Sequence, residues 1–136
     1  MDSYSIADMK AVGAFYATKL KAVRIRSTAR LLEQARTPRS RKHLAETAGI
    51  PDAHILRWAK MADLMRIKGI AEDYAELLGA AGVETVKELK RRSPSRLAAQ
   101  LVEINARKQI VSLVPTQHRL ERWIAEARTL DPVITY

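Results

Sequence analysis

Cysteine is absent from this sequence of 136 residues, and aromatic residues make up only 5% of it. Without cysteine, the chain has no disulfide scaffold, no thiol nucleophile and no thiolate ligand for zinc, which is compatible with a reducing compartment. The sequence also lacks the alternating Val, Thr and Tyr runs that are typical of strands, whereas helix-forming Ala, Leu, Glu, Arg and Lys dominate. These absences favour an all-α protein.

Long hydrophobic runs are missing as well, since no apolar stretch approaches the roughly 18 residues of a membrane-spanning helix. The N-terminal stretch MDSYSIADMK carries acids where a secretory signal peptide has a basic region. We therefore expect a soluble cytoplasmic protein with no membrane partner. With 47% hydrophobic residues, the chain is long enough to bury a core without disulfides or metals, so we expect a single domain over residues 1–136.

Acidic residues are too few to balance the basic ones: 24 Lys and Arg stand against 15 Asp and Glu, a net charge of +9. Such an excess draws a protein toward polyanions such as DNA, RNA or an anionic surface. Residues 1–64 hold 12 basic and 6 acidic residues, whereas residues 65–136 hold 12 and 9, so a polyanion-binding face is expected mainly in the first half. The alternative is that the basic charge only keeps the protein soluble.

An internal repeat organises the chain into two units, at about residues 6–64 and 65–130. The stretch AVGAFYATKLKAVRIRSTARLL aligns with GIAEDYAELLGAAGVETVKEL, and RTPRSRKHL resembles RRSPSRLAA. Further along, HILRWAKMA aligns with RLERWIAEA, which places Trp58 opposite Trp123. Both tryptophans lie on the apolar stripe of an amphipathic helix, which predicts that they are core residues rather than stacking platforms.

Each unit is predicted to contain a helix, a tight hairpin and a second helix. Gly82 is typical of a helix C-terminus, and the stretch around Arg24 is expected to end the first unit's helix in the same way without glycine. The pattern resembles the helix-hairpin-helix family. The signature IKGI..DYAELL..AGV.TVKEL resembles more closely the bacterial family named domain of unknown function 4332. The resemblance implies a tandem pair of helix-hairpin-helix units forming one compact helical bundle, with some relatives described as flap-nuclease-like or DNA-binding.

In the helix-hairpin-helix family, glycines in the turn let backbone amides approach a phosphate. Each unit here lacks one of the two turn glycines, since the turns read Ala11-Val12-Gly13 and GIA. Glu72 and Asp73 follow the second turn and are expected to lie on its amides and repel an anion, so this hairpin is predicted to be structural. The first turn is flanked by cations and is the better candidate for phosphate, although these cations can equally be plain solvated surface.

A basic cluster is repeated around two prolines. Thr37 and Pro38, like the later Ser-Pro pair, are typical of an N-cap followed by the first residue of a helix. On that helix the cations Arg41 and Lys42 are expected to face solvent while Leu44 faces inward. The repetition suggests that the two basic clusters contact the phosphates of one duplex, and the alternative is that both are ordinary solvent-exposed surface.

Catalytic machinery is not visible. The three histidines are far apart and show no metal-ligand spacing, and no cluster of carboxylates suggests a two-metal nuclease. We expect a protein without enzymatic activity, metal or cofactor.

Two functions remain open. The first is sequence-independent binding of nucleic acid, with DNA backbone contacts expected, and its affinity should fall steeply with salt. The second is a protein-interaction adaptor that docks a partner through Met9, Met61, Met65 or the terminal stretch PVITY. The candidate nucleic-acid-binding residues are Lys10, Gly13, Lys19, Lys21, Arg24, Arg26, Arg36, Arg39, Arg41, Lys42, Arg91 and Arg92.

Overall fold

The computed structural model describes residues 3–136, so Met1 and Asp2, the first two residues of the predicted domain, lie outside the described residues. The described residues contain eight α-helices and no strand, which confirms the all-α prediction. A short 3-10 helix at Ile6–Asp8 comes before the α-helices. The α-helices are α1 (Gly13–Ala22), α2 (Thr28–Gln34), α3 (Pro38–Ala48), α4 (Asp52–Leu64), α5 (Glu72–Ala80), α6 (Val86–Leu89), α7 (Pro94–Lys108) and α8 (Gln117–Ala127).

The helices pack in two sets that follow the repeat. In the first unit α2 and α3 pack against α4, and in the second α7 packs against both α5 and α8. The two sets meet where α4 packs against α5, and one continuous cluster of buried apolar side chains runs through both. Trp58 and Trp123 belong to this cluster with 2% and 3% of their surface exposed, which confirms that they are core residues.

The first helix of each unit ends with the same hydrogen bonds. The amide of Ile25 donates to the carbonyl of Leu20 at 2.9 Å, and the amide of Val83 donates to the carbonyl of Leu78 at 2.9 Å. This bond across six residues requires the residue before it to adopt a left-handed conformation. Gly82 does so with φ +85°, and Arg24 does so with φ +67° despite having a side chain. The predicted helix end without glycine is therefore confirmed.

The predicted helix starts are also confirmed. Pro38 and Pro94 are the first residues of α3 and α7. The Thr37 hydroxyl accepts a hydrogen bond from the Ser40 amide at 3.0 Å, and the Ser40 hydroxyl accepts one from the Thr37 amide at 3.0 Å, which forms a capping box. Ser27 caps α2 in a similar way. Ser93 precedes Pro94 as predicted, but its side chain accepts no capping hydrogen bond, so α7 begins at its proline without a side-chain cap.

The C-terminal segment after α8 returns to the first unit. The amide of Thr135 donates to the carbonyl of Arg36 at 2.8 Å, and the guanidinium of Arg66 donates to the carbonyl of Asp131 at 3.0 Å. Arg66 also forms a buried ion pair of 2.8 Å with Asp63. The terminal Tyr136 ring lies 5.4 Å from the Lys60 ammonium. The segment thus ties the end of the second unit to α3 and α4 of the first.

Candidate nucleic-acid interface

The structure places most of the predicted nucleic-acid-binding residues at the surface. Arg41 is buried, and Lys19 and Arg92 are partly buried. The other nine are exposed: Lys10, Gly13, Lys21, Arg24, Arg26, Arg36, Arg39, Lys42 and Arg91. Seven of the eight exposed candidate cations, all except Arg91, belong to the first unit.

A shallow cavity of about 190 Å³ lies between the α1–α2 connection and α3. Val23 and Ile25 line one wall, and Ser40, His43 and Thr47 of α3 line the other. The connection is held in place because the N-terminal segment pairs with it, with the amide of Ile6 donating to the carbonyl of Arg26 at 2.9 Å. One wall therefore belongs to a connection held by a backbone hydrogen bond, and the other belongs to a helix.

Exposed cations adjoin both walls of this cavity in the sequence. Arg24 and Arg26 flank Ile25 on the connection, and Arg39 and Lys42 adjoin lining residues of α3. We call these four residues and the cavity between their elements the basic groove. None of the four cations is among the residues that line the cavity, but they are exposed on the two neighbouring elements that border it, where they can together attract a polyanion.

No candidate cation is paired with a carboxylate among residues 3–136. The ion pairs of the described residues are Arg30–Glu33, Lys60–Glu84, Asp63–Arg66 and His118–Glu121. The positive charge of the basic groove is therefore not neutralised within the described part of the chain, and it can attract a polyanion.

The backbone amides of the first turn are occupied. The carboxylate of Glu72 accepts hydrogen bonds from the amides of Lys10 at 2.9 Å and Ala11 at 2.7 Å. The prediction that Glu72 lies on the amides of its own turn is thus wrong, because α5 presents its first residue to the first unit. In the second unit the corresponding amide of Lys68 donates to the carboxylate of Glu126 at 3.3 Å. Each turn therefore already holds an anionic group from its own chain.

Arg41 is a correction to the predicted interface, because only 4% of its surface is exposed. Its Nη1 donates to the carbonyl of Ala35 at 2.9 Å, and its Nη2 donates to the carbonyl of Thr135 at 2.8 Å. The guanidinium thus links the end of α2 to the C-terminal segment and is not available to phosphate. Aligning Pro38 with Pro94 places Arg41 on Leu97, a fully buried residue, so the repeat contained a signal for this burial.

Arg92 is also held by the protein itself. Its Nη1 donates to the carbonyl of Ala81 at 3.2 Å, and its Nη2 donates to the side chain of Gln100. A cation near the last carbonyls of α5 is favourable because it complements the helix dipole. The second basic cluster is therefore partly structural, and only Arg91 of its two candidate residues is exposed.

Sequence reasoning missed Phe15, the single phenylalanine of the chain, which is 70% exposed in the first turn of α1. The Lys19 ammonium lies over its ring at 5.1 Å from the centroid. The ring contacts Tyr16 at a centroid distance of 5.2 Å, and Tyr16 contacts Trp58 at 5.4 Å. Alignment with exposed Asp73 in the second unit was the signal that could have shown this position to be at the surface.

Two of the three methionines predicted to dock a partner of an adaptor lie inside the protein. Met9 and Met65 are 3% and 1% exposed, so the prediction that they dock a partner is wrong. Met61 is partly buried and lines a cavity of about 460 Å³ between α4 and α5, together with Arg57 and Glu76. The terminal stretch packs on its own chain, and partial burial of Tyr136 raises the pKa of its hydroxyl, against the opposing effect of Lys60.

Residues 3–136 bring no three His, Asp or Glu side chains together in a way that could hold a metal ion. His54 instead stacks on Trp58 with a centroid distance of 5.7 Å. In the same residues, every helix is too short or too polar to cross a membrane.

Comparison with curated proteins finds no match, and comparison with solved structures finds none either. A family model described as "Domain of unknown function (DUF4332)" matches residues 10–130, which is most of the chain. The helix-hairpin-helix interpretation of the two units stays a prediction. The family match agrees with the resemblance carried by the signature around the second turn, and the chain belongs to the DUF4332 family.

Proposed function

We propose that the protein is a non-catalytic module that binds nucleic acid without sequence preference, through the exposed cations of its first unit. The observation that carries this proposal is a difference between the two repeat units. Residues 10–26 contain five Lys and Arg and no acid, whereas the corresponding residues 68–84 contain one Lys and four acids. The two stretches end their helices with the same hydrogen bonds, so the fold itself does not require the cations.

The charge difference extends to individual positions. Arg24 corresponds to Gly82, and Arg26 corresponds to Glu84. Arg24 keeps a left-handed conformation that glycine adopts without strain, and strained residues are often retained where a side chain has a function. The strain at Arg24 therefore supports a functional role for its charge.

Contacts to phosphate position a protein on nucleic acid but carry no sequence information. The basic groove consists of Lys and Arg side chains on a connection and on the exposed side of a short helix. These exposed cations can contact a phosphate backbone, which releases its counterions as the cations replace them. The turn amides contribute little to this binding because Glu72 and Glu126 occupy them.

The test is a fluorescence-polarisation titration with labelled DNA and RNA at about 50 and 200 mM salt, where affinity for a phosphate-dominated contact falls steeply. The groove variant combines Arg39→Glu and Lys42→Glu. The control variant combines Arg122→Glu and Arg128→Glu, two exposed residues of the second unit, and changes the net charge by the same amount. We expect the groove variant to lose about tenfold or more in affinity and the control to lose much less.

Equal losses in the two variants would show that binding depends on net charge alone and not on the groove. Absence of binding at the lower salt would refute the proposed function. Far-ultraviolet circular dichroism of each variant checks that it folds.

A protein-interaction adaptor is the second candidate, and the cavity between α4 and α5 is the observation that favours it. Met61 contributes an adaptable apolar contact there, and Arg57 and Glu76 place opposite charges beside it. A partner held in this way should stay bound at moderate salt, where phosphate contacts weaken. Met61→Glu should abolish such binding without changing the affinity for DNA.

A further inference from the structure

Phe15 is an exposed aromatic residue that the fold does not need. Its ring is 70% exposed, so it adds little to the buried core. The corresponding residue of the second unit is Asp73, which is also exposed and lies in the first turn of α5. The second unit therefore serves as an internal control, because it builds the same helix with a carboxylate at this position.

The ring of Phe15 nevertheless contacts a neighbouring aromatic ring. It meets Tyr16 at 5.2 Å with an interplanar angle of 72°, and Tyr16 in turn contacts His54 at 5.3 Å and Trp58 at 5.4 Å. Trp58 is buried, and its indole donates to the carbonyl of Ala11 at 3.2 Å. A chain of aromatic contacts thus runs from the core to the exposed ring.

The surroundings of Phe15 carry positive charge on the side toward the end of α1. Lys19 lies one turn further along, with its ammonium over the ring at 5.1 Å, and Lys21 follows. An exposed, supported aromatic ring beside ammonium groups matches the way proteins bind single strands, with bases stacked on aromatic rings and phosphates on cations. In a duplex the faces of the bases are already covered by their neighbours.

We propose that Phe15 is a stacking platform for an unpaired nucleobase, which stacks on the ring face that Lys19 does not cover, while Lys19 contacts an adjacent phosphate. At this surface the protein then binds single-stranded nucleic acid in preference to duplex. This proposal rests on the proposed function and names its substrate class. The cations of the basic groove supply affinity for either form, whereas Phe15 adds affinity only for the single strand.

The experiment measures the affinity of the full chain for a labelled single-stranded DNA and for the duplex of the same length, at about 50 mM salt, where phosphate contacts are strong. Phe15→Ala should weaken single-strand binding by about tenfold, the size of effect that is typical of one stacked base, and should leave duplex binding unchanged within about twofold. Phe15→Trp should retain the wild-type affinity for the single strand, because it keeps an aromatic ring. Leu113→Ala removes an apolar side chain of similar exposure, 72%, from the second unit and should change neither affinity.

Phe15→Leu separates stacking from general apolar contact, because leucine is apolar but has no π face. Retention of wild-type single-strand affinity by Phe15→Leu would overturn the proposal, and so would an equal loss for single strand and duplex in Phe15→Ala. An unchanged affinity in Phe15→Ala would likewise overturn it and would point to Phe15 as a contact for a protein partner. Duplex binding that depends on Arg39 and Lys42 would leave the proposed function standing in each case, whereas absence of all binding would refute both.

Discussion

Replacement of Arg24 by glycine should make the protein more stable and weaken its binding to nucleic acid. Arg24 has φ +67°, a left-handed conformation that costs a residue with a side chain roughly 1–2 kcal/mol. Glycine adopts this conformation without strain but loses about 0.4–1 kcal/mol more conformational entropy on folding. The guanidinium is exposed and is not among the ion pairs of the described residues, so its removal costs little.

The difference between these terms predicts a gain of about 0.5–1 kcal/mol in the free energy of unfolding for Arg24→Gly, which is a rise of roughly 2–5 °C in the thermal midpoint of a chain of this size. Urea titration followed by the fluorescence of the buried Trp58 and Trp123 measures the free energy. Arg26→Gly is the matched control, because Arg26 is exposed and is not among the residues with positive φ. The Arg26→Gly variant should lose up to about 1 kcal/mol in its free energy of unfolding.

The reverse change in the second unit tests the same reasoning. Gly82 has φ +85°, and a Cβ added to it would meet no atom within 4 Å, so Gly82→Arg should lose stability through backbone strain alone, by roughly 1 kcal/mol.

The polarisation titration with DNA should show a weaker affinity for Arg24→Gly than for the wild type. If Arg24→Gly and Arg26→Gly lose stability to the same extent, the attribution of strain to Arg24 is refuted.

Other positions provide independent tests by urea and thermal denaturation. Arg41→Ala should lose about 2–4 kcal/mol, because it removes two buried hydrogen bonds and leaves a cavity, whereas exposed Arg39→Ala should change stability by less than about 0.5 kcal/mol. Similar losses in the two variants would contradict the buried role of Arg41. Gly69→Ala should cost about 1–2 kcal/mol, since Gly69 has φ +91° and an added Cβ would lie 3.2 Å from a tryptophan ring nitrogen. Gly79 lies inside α5, and a Cβ added to it would meet no atom within 4 Å, so Gly79→Ala should raise the free energy of unfolding by roughly 0.5–1 kcal/mol. A loss of stability in Gly79→Ala would contradict the open space at this position. Glu72→Gln should lower stability by about 1 kcal/mol, because the two amides lose a charged acceptor, and an unchanged midpoint would show that this contact is weak in solution.

Local features of the fold could be predicted because each depends on residues that are neighbours in the sequence. The capping box of Thr37 and Ser40 spans four residues, and the helix end at Arg24 is closed by a bond within six. The buried tryptophans follow from the period of apolar residues along one helix. The repeat added information, because the second unit shows what the first needs for folding and what it does not.

The contacts that decide the candidate interface join residues far apart in the sequence. Glu72 reaches amides 61 and 62 positions away, and Arg41 reaches a carbonyl 94 positions away. The sequence by itself determined the helices, their ends, the duplicated core and the excess of basic charge. Only the tertiary structure decided which anion occupies each turn and which cations are held by partners far away in the sequence. The reason is physical: local propensity and periodicity act within a few residues, whereas the burial of a charge depends on the partners that packing brings to it.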